Sequence, residues 1–303
     1  MLAETIGEGI QRGVDPFQHF GGILKGADVR VVNLECVVST RGKAIEDKPY
    51  TFQAHPRVLP LLERYFNVAS LANNHTGDFG FDAFNEQLDL LEQRRFGHFG
   101  GGRNNAEARR PYLVTVNGLR IALLGYNDFH PRCFEAGPDW PGVAWCVTEQ
   151  VVADIEAARS IHKADLVIPV MHWGEEEEPE NERQKDVAHR MIDAGADVVV
   201  GGHPHVTQST EYYKGKLIAY SLGNFVFDGF DEGPGRIGWV LRLRMDKNGL
   251  LEWDTVVAHL DGKGNPHPEK DALSPAGNAR QGTMNRCKGL VDSPFAPFAR
   301  SAP

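Results

Sequence analysis

Cysteine is scarce and scattered: Cys36, Cys133, Cys146 and Cys287 are spread over 303 residues with no Cys-x-x-Cys pair. That spacing excludes a zinc knot and a disulfide framework, so the four read as thiols. Cationic clusters are also missing. With 32 Lys+Arg against 41 Asp+Glu, a net charge of −9 and a pI near 5.7, the chain lacks the dense positive patch that nucleic acid or an anionic membrane surface requires. No apolar run approaches the roughly 20 residues needed to span a bilayer. The start, Met1-Leu2-Ala3-Glu4-Thr5, lacks the basic-then-apolar order of a signal peptide. As written, the expectation is a soluble, cytoplasmic chain with no nucleic-acid partner and no direct membrane insertion. No internal repeat is visible.

What is present is an alternation of short apolar runs and amphipathic segments. Glu8 to Leu24 reads as an amphipathic helix and Asp28 to Glu35 as the first strand, ending in Asn33-x-Glu35. A polar loop covers Arg41 to Thr51, a short helix Pro56 to Tyr65, and a buried strand Asn67 to Ala72 that ends in Asn73-Asn74-His75-Thr76-Gly77-Asp78. The helix from about Gly80 to Arg95 sets Phe81, Phe84, Leu88 and Leu91 on one face, a core pattern. Asn117-Gly118 between Tyr112–Val116 and Leu119–Tyr126 predicts a hairpin, which makes the sheet mixed. Phe129 to Ala144 is a long loop suited to a substrate entrance. Helix, strand and helix follow at 148–162, 165–171 and 182–194, and then Ala196-Asp197-Val198-Val199-Val200, a buried parallel strand. Four antiparallel strands are expected between Gln208 and Ala258. Past Asp261 the pattern stops, so residues 1–261 read as one domain and 262–303 as an irregular tail.

The chemistry gathers at strand ends. Gly201-Gly202-His203-Pro204-His205 places two imidazoles on a sharp, stiffened loop. Glu35, Asn74 with His75, and His172 likewise follow apolar runs, and in an open α/β sheet ligands collect at the carboxyl ends of strands. Imidazoles, a carboxylate and an amide oxygen suit Mn, Fe or Zn, and the absence of cysteine argues against a closed structural zinc site. Taken singly, each position has a plainer reading. Glu35 is a solvated strand-end acid, Asn73-Asn74 a turn, and His172 a packed imidazole. Asp78 either caps the next helix or contacts the site, and with His75 it is kept as a catalytic candidate. Glu177 and Glu178 read as a solvated face. Arg103, Arg109, Arg110 and Arg132 are either rim cations for an anionic polymer or ordinary surface charge.

Asn33-Leu34-Glu35, Leu71-Ala72-Asn73-Asn74-His75-x-x-Asp78-x-Gly80, His172-Trp173-Gly174-x-Glu176, Gly195-Ala196-Asp197, Gly202-His203-Pro204-His205 and Ala219-Tyr220-Ser221-Leu222-Gly223-Asn224-Phe225 together resemble the bacterial poly-γ-glutamate capsule-synthesis (CapA) family over residues 1 to 260. That family is similar to calcineurin-like metallophosphoesterases. The resemblance implies a four-layer α/β/β/α sandwich with mixed sheets, a two-metal site and phosphoester hydrolysis. By motif, Glu35 takes the place of the acidic residue on the second strand, and Asn74 is a metal ligand. His75 is the acid that protonates the leaving oxygen. His172 and His203 bind one metal and His205 the other.

Fold does not name a substrate. The expected activity is a metal-dependent hydrolase acting on a phosphoester. The alternatives are a non-hydrolytic component of poly-γ-glutamate assembly or export, binding an anionic polymer or membrane-bound synthase components, and a scaffold with a depleted metal site. The resemblance also implies a first strand ending in Gly-Asp ahead of Met1-Leu2, with the Asp as a ligand. Its lack leads to three expectations: an internal start with a targeting sequence admitted upstream, an apolar gap beside Val29 to Leu34, and one divalent ion where relatives hold two. Asp78 or Glu176 is the alternative ligand.

Overall fold

Alternating apolar side chains on two sheets decide the layering. The computed structural model describes residues 1–269, 281–285 and 289–292. Its largest sheet runs in the order Thr210–Tyr213, Lys216–Ala219, Val198–Gly202, Leu166–His172, Leu119–Asn127, Tyr112–Val116. The four inner strands are parallel and both outer ones antiparallel, so the sheet is mixed, as the Asn117-Gly118 hairpin predicts. On one face Ala122, Leu124, Val167 and Val199 pack against Val151, Ile155, Val187 and Met191 of the helices Thr148–Ser160 and Glu182–Asp193. The opposite face meets a second β layer. Leu123, Ile168 and Val170 pack on Val31, Val68 and Phe99 of a parallel sheet ordered Val31–Asn33, Val68–Ser70, Gly97–Phe99. Val198 and Leu217 pack on Leu250 and Trp253 of the long hairpin Ile237–Asp246/Gly249–Leu260. Helices Leu59–Tyr65 and Gly80–Gln93 close the outer side through Leu59, Leu62, Phe84, Leu88 and Leu91. Each of those five is fully buried and contributes about 1.5–3 kcal/mol of burial. The result is the α/β/β/α sandwich.

Several sequence blocks are structural pins. Asp197, nearly fully buried, accepts from the Val167 amide at 2.9 Å and pairs with Arg159 and Lys216, which ties two adjacent strand starts together. Trp173 Nε1 donates to the Tyr220 carbonyl at 2.8 Å. A Cβ at Gly201 would lie 2.0 Å from that carbonyl oxygen and 2.4 Å from Trp173 Nε1, so only glycine lets the central strand pass between them.

Three expectations are corrected. The helix from Glu8 to Leu24 is three pieces, the α-helix Glu4–Gln11, a 3-10 turn Gln18–Phe20 and the short α-helix Gly21–Leu24, with the first break where Gly13 turns with φ +88° and Pro16 follows. Phe81 is not core but 48% exposed: it sits in the first turn of its helix and leans on Phe134 at 5.4 Å between ring centroids. The stretch after 261 is not wholly irregular. Pro266–Pro268 and Gln281–Asn285 both pair with Gly249–Leu260, and Gly289–Asp292 adds to the latter; the rest of the expected tail lies outside the described residues.

Val31–Asn33 is a sheet edge among the described residues, pairing with Val68–Ser70 alone. Between this edge and Trp239–Leu241 lies a cavity of about 220 Å³, walled by Leu2, Phe66, Leu222 and Phe225, with Glu35 and His205 also in its lining. Among the described residues no helix is long and apolar enough to cross a membrane.

Candidate metal centre

Two stacked sheets, each with parallel strands, deliver their carboxyl ends to one side, so the residues that end them meet across the layers. Glu35 follows Val31–Asn33, Asn74 and His75 follow Val68–Ser70, His172 ends its strand, and His203 follows Val198–Gly202. The His203 backbone has φ +102° and that of His205 +58°, a conformation rare outside glycine and held at functional sites by the surrounding structure.

Four donor atoms converge. His172 Nε2 lies 2.9 Å from Asn74 Oδ1, 3.1 Å from His203 Nδ1 and 3.5 Å from Glu35 Oε1. Glu35, His172 and His203 also form a metal-competent trio in which all three donor atoms lie within 4.8 Å of one another. Ligands about 2.0–2.1 Å from a tetrahedral ion stand about 3.4 Å apart, so these spacings fit one small divalent cation. Glu35 supports that test. Its Oε2 accepts from Asn33 Nδ2 at 2.9 Å, whereas the buried Oε1 has no hydrogen-bond partner, leaving an anionic lone pair facing two imidazoles. Burial pushes the His172 pKa well below that of free imidazole, and the His203 and His205 imidazoles push it further. Burial likewise brings His203 down to about 3. Both rings are therefore neutral in ordinary buffers, the state in which an imidazole binds a metal.

Beside this cluster stands an acid–base pair. Asp78, fully buried, faces His75 Nδ1 at 2.7 Å and accepts the Phe52 amide at 2.7 Å. It does not cap the next helix, whose N-cap, Phe79, has no side-chain capping bond. With its carboxylate engaged this way Asp78 is no substitute metal ligand. His75 consequently carries its proton on Nδ1 and presents Nε2, while the Phe52 ring covers it at 4.5 Å.

His205 sits apart from the four donors, its ring 6.0 Å from that of His203 and stacked on Phe227 at 5.0 Å. Asn224 Nδ2 donates to the carbonyls of His205 and Gly235, so its Oδ1 must accept at 2.8 Å from His205 Nδ1. That makes Nδ1 the donor nitrogen engaged by Asn224 and leaves Nε2 as the nitrogen turned away from it. Glu176 is exposed on the turn after Gly174 and outside the donor cluster. Of the candidate rim cations, Arg103, Arg109 and Arg132 are bound to Asp89, Asp154 and Glu135. Sequence reasoning missed Asn33 as the orienter of Glu35, Asn224 as that of His205, and Lys48. Asn224 stood inside a quoted block without a role, and Lys48 stood in a polar loop where no pattern singles out one lysine.

Residues 1–229 match the family profile described as bacterial capsule synthesis protein PGA_cap. The capsule biosynthesis protein CapA of Bacillus anthracis is 32% identical over 289 residues, covering 91% of this chain and 68% of that protein. The PGA biosynthesis protein CapA of Bacillus subtilis (strain 168) is 35% identical over 223 residues, covering 72% of this chain and 58% of that protein. This chain thus spans about three fifths to two thirds of these relatives' lengths. A solved phosphatase from Mycoplasma pneumoniae aligns with a TM-score of 0.47 at 12% identity, covering 86% of this chain and 85% of that one, below the level that establishes a shared fold.

Proposed function

The chain belongs to the bacterial capsule synthesis protein family PGA_cap, and from that premise we propose that it is a metal-dependent phosphoester hydrolase serving poly-γ-glutamate capsule synthesis. The observation that carries the reading is the convergence of Glu35 Oε1, Asn74 Oδ1, His172 Nε2 and His203 Nδ1 within 2.9–3.5 Å of His172, with the His75–Asp78 pair alongside.

Those four residues would hold a divalent ion, which when bound polarises a phosphoryl oxygen and makes water a nucleophile near neutral pH. Asn33 fixes the rotamer of Glu35, so the carboxylate would bind the ion without reorganisation. Protonated His75 gives its Nε2 proton to the departing alkoxide oxygen, and Asp78 holds Nδ1–H and offsets the ring's positive charge. Phe52 keeps one face of that ring dry. The alternative of a non-hydrolytic polymer-binding component draws on the relatives' names alone. It would gain from a cationic track, yet Arg103, Arg109 and Arg132 are already bound to carboxylates.

Turnover by protein loaded with Mn, Fe or Zn, measured on aryl phosphomonoesters and phosphodiesters, separates the two. We expect hydrolysis of at least one ester that stops on chelation and returns with metal. Metal-loaded protein inert on the whole panel would move the reading to the assembly role.

A further inference from the structure

The loop before Phe52 reaches into the site through one side chain. Lys48 Nζ donates to the Asn74 carbonyl at 2.7 Å and to Asp78 Oδ1, 26 and 30 residues along the chain, and its side chain is 23% exposed. The turn between these acceptors carries Asn74 on the metal side and His75 on the acid side. Most of that turn is fixed from within: the His75 amide donates to Asn73 Oδ1 at 3.1 Å, Thr76 Oγ1 donates to the Leu71 carbonyl, and the Asp78 amide donates to the His75 carbonyl at 3.3 Å. The Asn74 peptide is held from outside, by Lys48.

We propose that Lys48 is a positioning residue which, by bridging the Asn74 carbonyl and the Asp78 carboxylate, locks Asn74 Oδ1 toward His172 and His75 toward the leaving group in one arrangement. An ammonium suits the task. It offers three donors on a flexible stem, and its bond to a carboxylate is charge-assisted. The same loop is fastened to the turn twice more, by the Ile45 amide to the Asp78 carbonyl at 2.8 Å and by the Phe52 amide to Asp78 Oδ2. Loop and turn therefore form one unit with Lys48 at its centre. The kinetic part of this inference rests on the hydrolase reading; the structural part does not.

The test compares full-length Lys48→Met and Lys48→Arg with wild type by hydrogen exchange of the metal-free protein and by steady-state kinetics of the Mn-loaded protein. In Lys48→Met, amides 74–78 should exchange at least about tenfold faster while distant strands keep their protection. Its Mn affinity should fall by up to about tenfold, because the peptide that carries Asn74 is loosened, and at saturating Mn its kcat should fall about 10- to 100-fold with KM within about twofold, the signature of lost transition-state alignment. Lys48→Arg should recover most of both. Unchanged exchange and kcat in Lys48→Met would overturn the proposal. So would a general loss of protection, metal and Tm that Lys48→Arg fails to rescue, since that marks a merely structural lysine. Faster exchange at 74–78 in a protein whose wild type hydrolyses nothing would defeat the hydrolase reading and leave the hold of Lys48 on the turn supported.

Discussion

His203→Ala is expected to strip the protein of its ion and reduce phosphoester turnover to the uncatalysed background. His203 Nδ1 is 3.1 Å from His172 Nε2, so its removal opens one corner of the donor set. It also leaves a hole beside the Phe129 ring, which packs on the imidazole at 4.1 Å. Losing a supporting contact to a ligand already costs about 10- to 100-fold in metal affinity, and loss of the ligand itself should exceed that. Because His203 lies on the rim beyond Val198–Gly202 and not in the packed cores on either face of that strand, the metal-free variant should remain folded. Competition with a chromophoric chelator measures the affinity and circular dichroism the fold. Full metal retention by a folded His203→Ala protein would remove His203 from the site.

The second large effect separates acid catalysis from metal binding. His75→Ala should keep wild-type metal content, since the His75 ring is engaged by Asp78 and Phe52 rather than by the four donors, and should lose about two to four orders of magnitude in kcat. The loss should depend on the leaving group. An alkyl phosphoester departs as a basic alkoxide and needs the proton, whereas a nitrophenolate leaves largely without it, so the variant should be far more crippled on the alkyl ester. Equal losses on both would mean that His75 contributes something other than a proton.

Much of this site is legible in the sequence because strand ends are. An apolar run that stops at Glu35, Asn74, His172 or His203 marks a carboxyl terminus; parallel pairing sets Glu35 beside Asn74 in one sheet and His172 beside His203 in the other, and the stacking of the two sheets, which no sequence pattern states, brings the two pairs together. The supporting residues are not legible, because they act across distance. Asn33 ends the strand that Glu35 follows, and period-two alternation sets the two on one side, but no pattern says that its amide holds the carboxylate. Lys48 is one of several charges in a loop and is distinguished by the turn it crosses. Phe81 misled for the opposite reason: it satisfies the helical period of Phe84 and Leu88, yet it lies one turn too early to be covered. The strands 281–285 and 289–292 were hidden because they are short and borrow their order from pairing with Gly249–Leu260 and with each other, which composition does not report.

X-ray absorption at the metal edge of the Mn- or Zn-loaded chain tests the centre most directly. The arrangement of Glu35, Asn74, His172 and His203 gives one ion per chain, with two imidazole nitrogens and oxygen donors at about 2.0–2.2 Å and no metal–metal vector. A second metal about 3.5–4 Å away, or a shell of oxygens without imidazole, would contradict it.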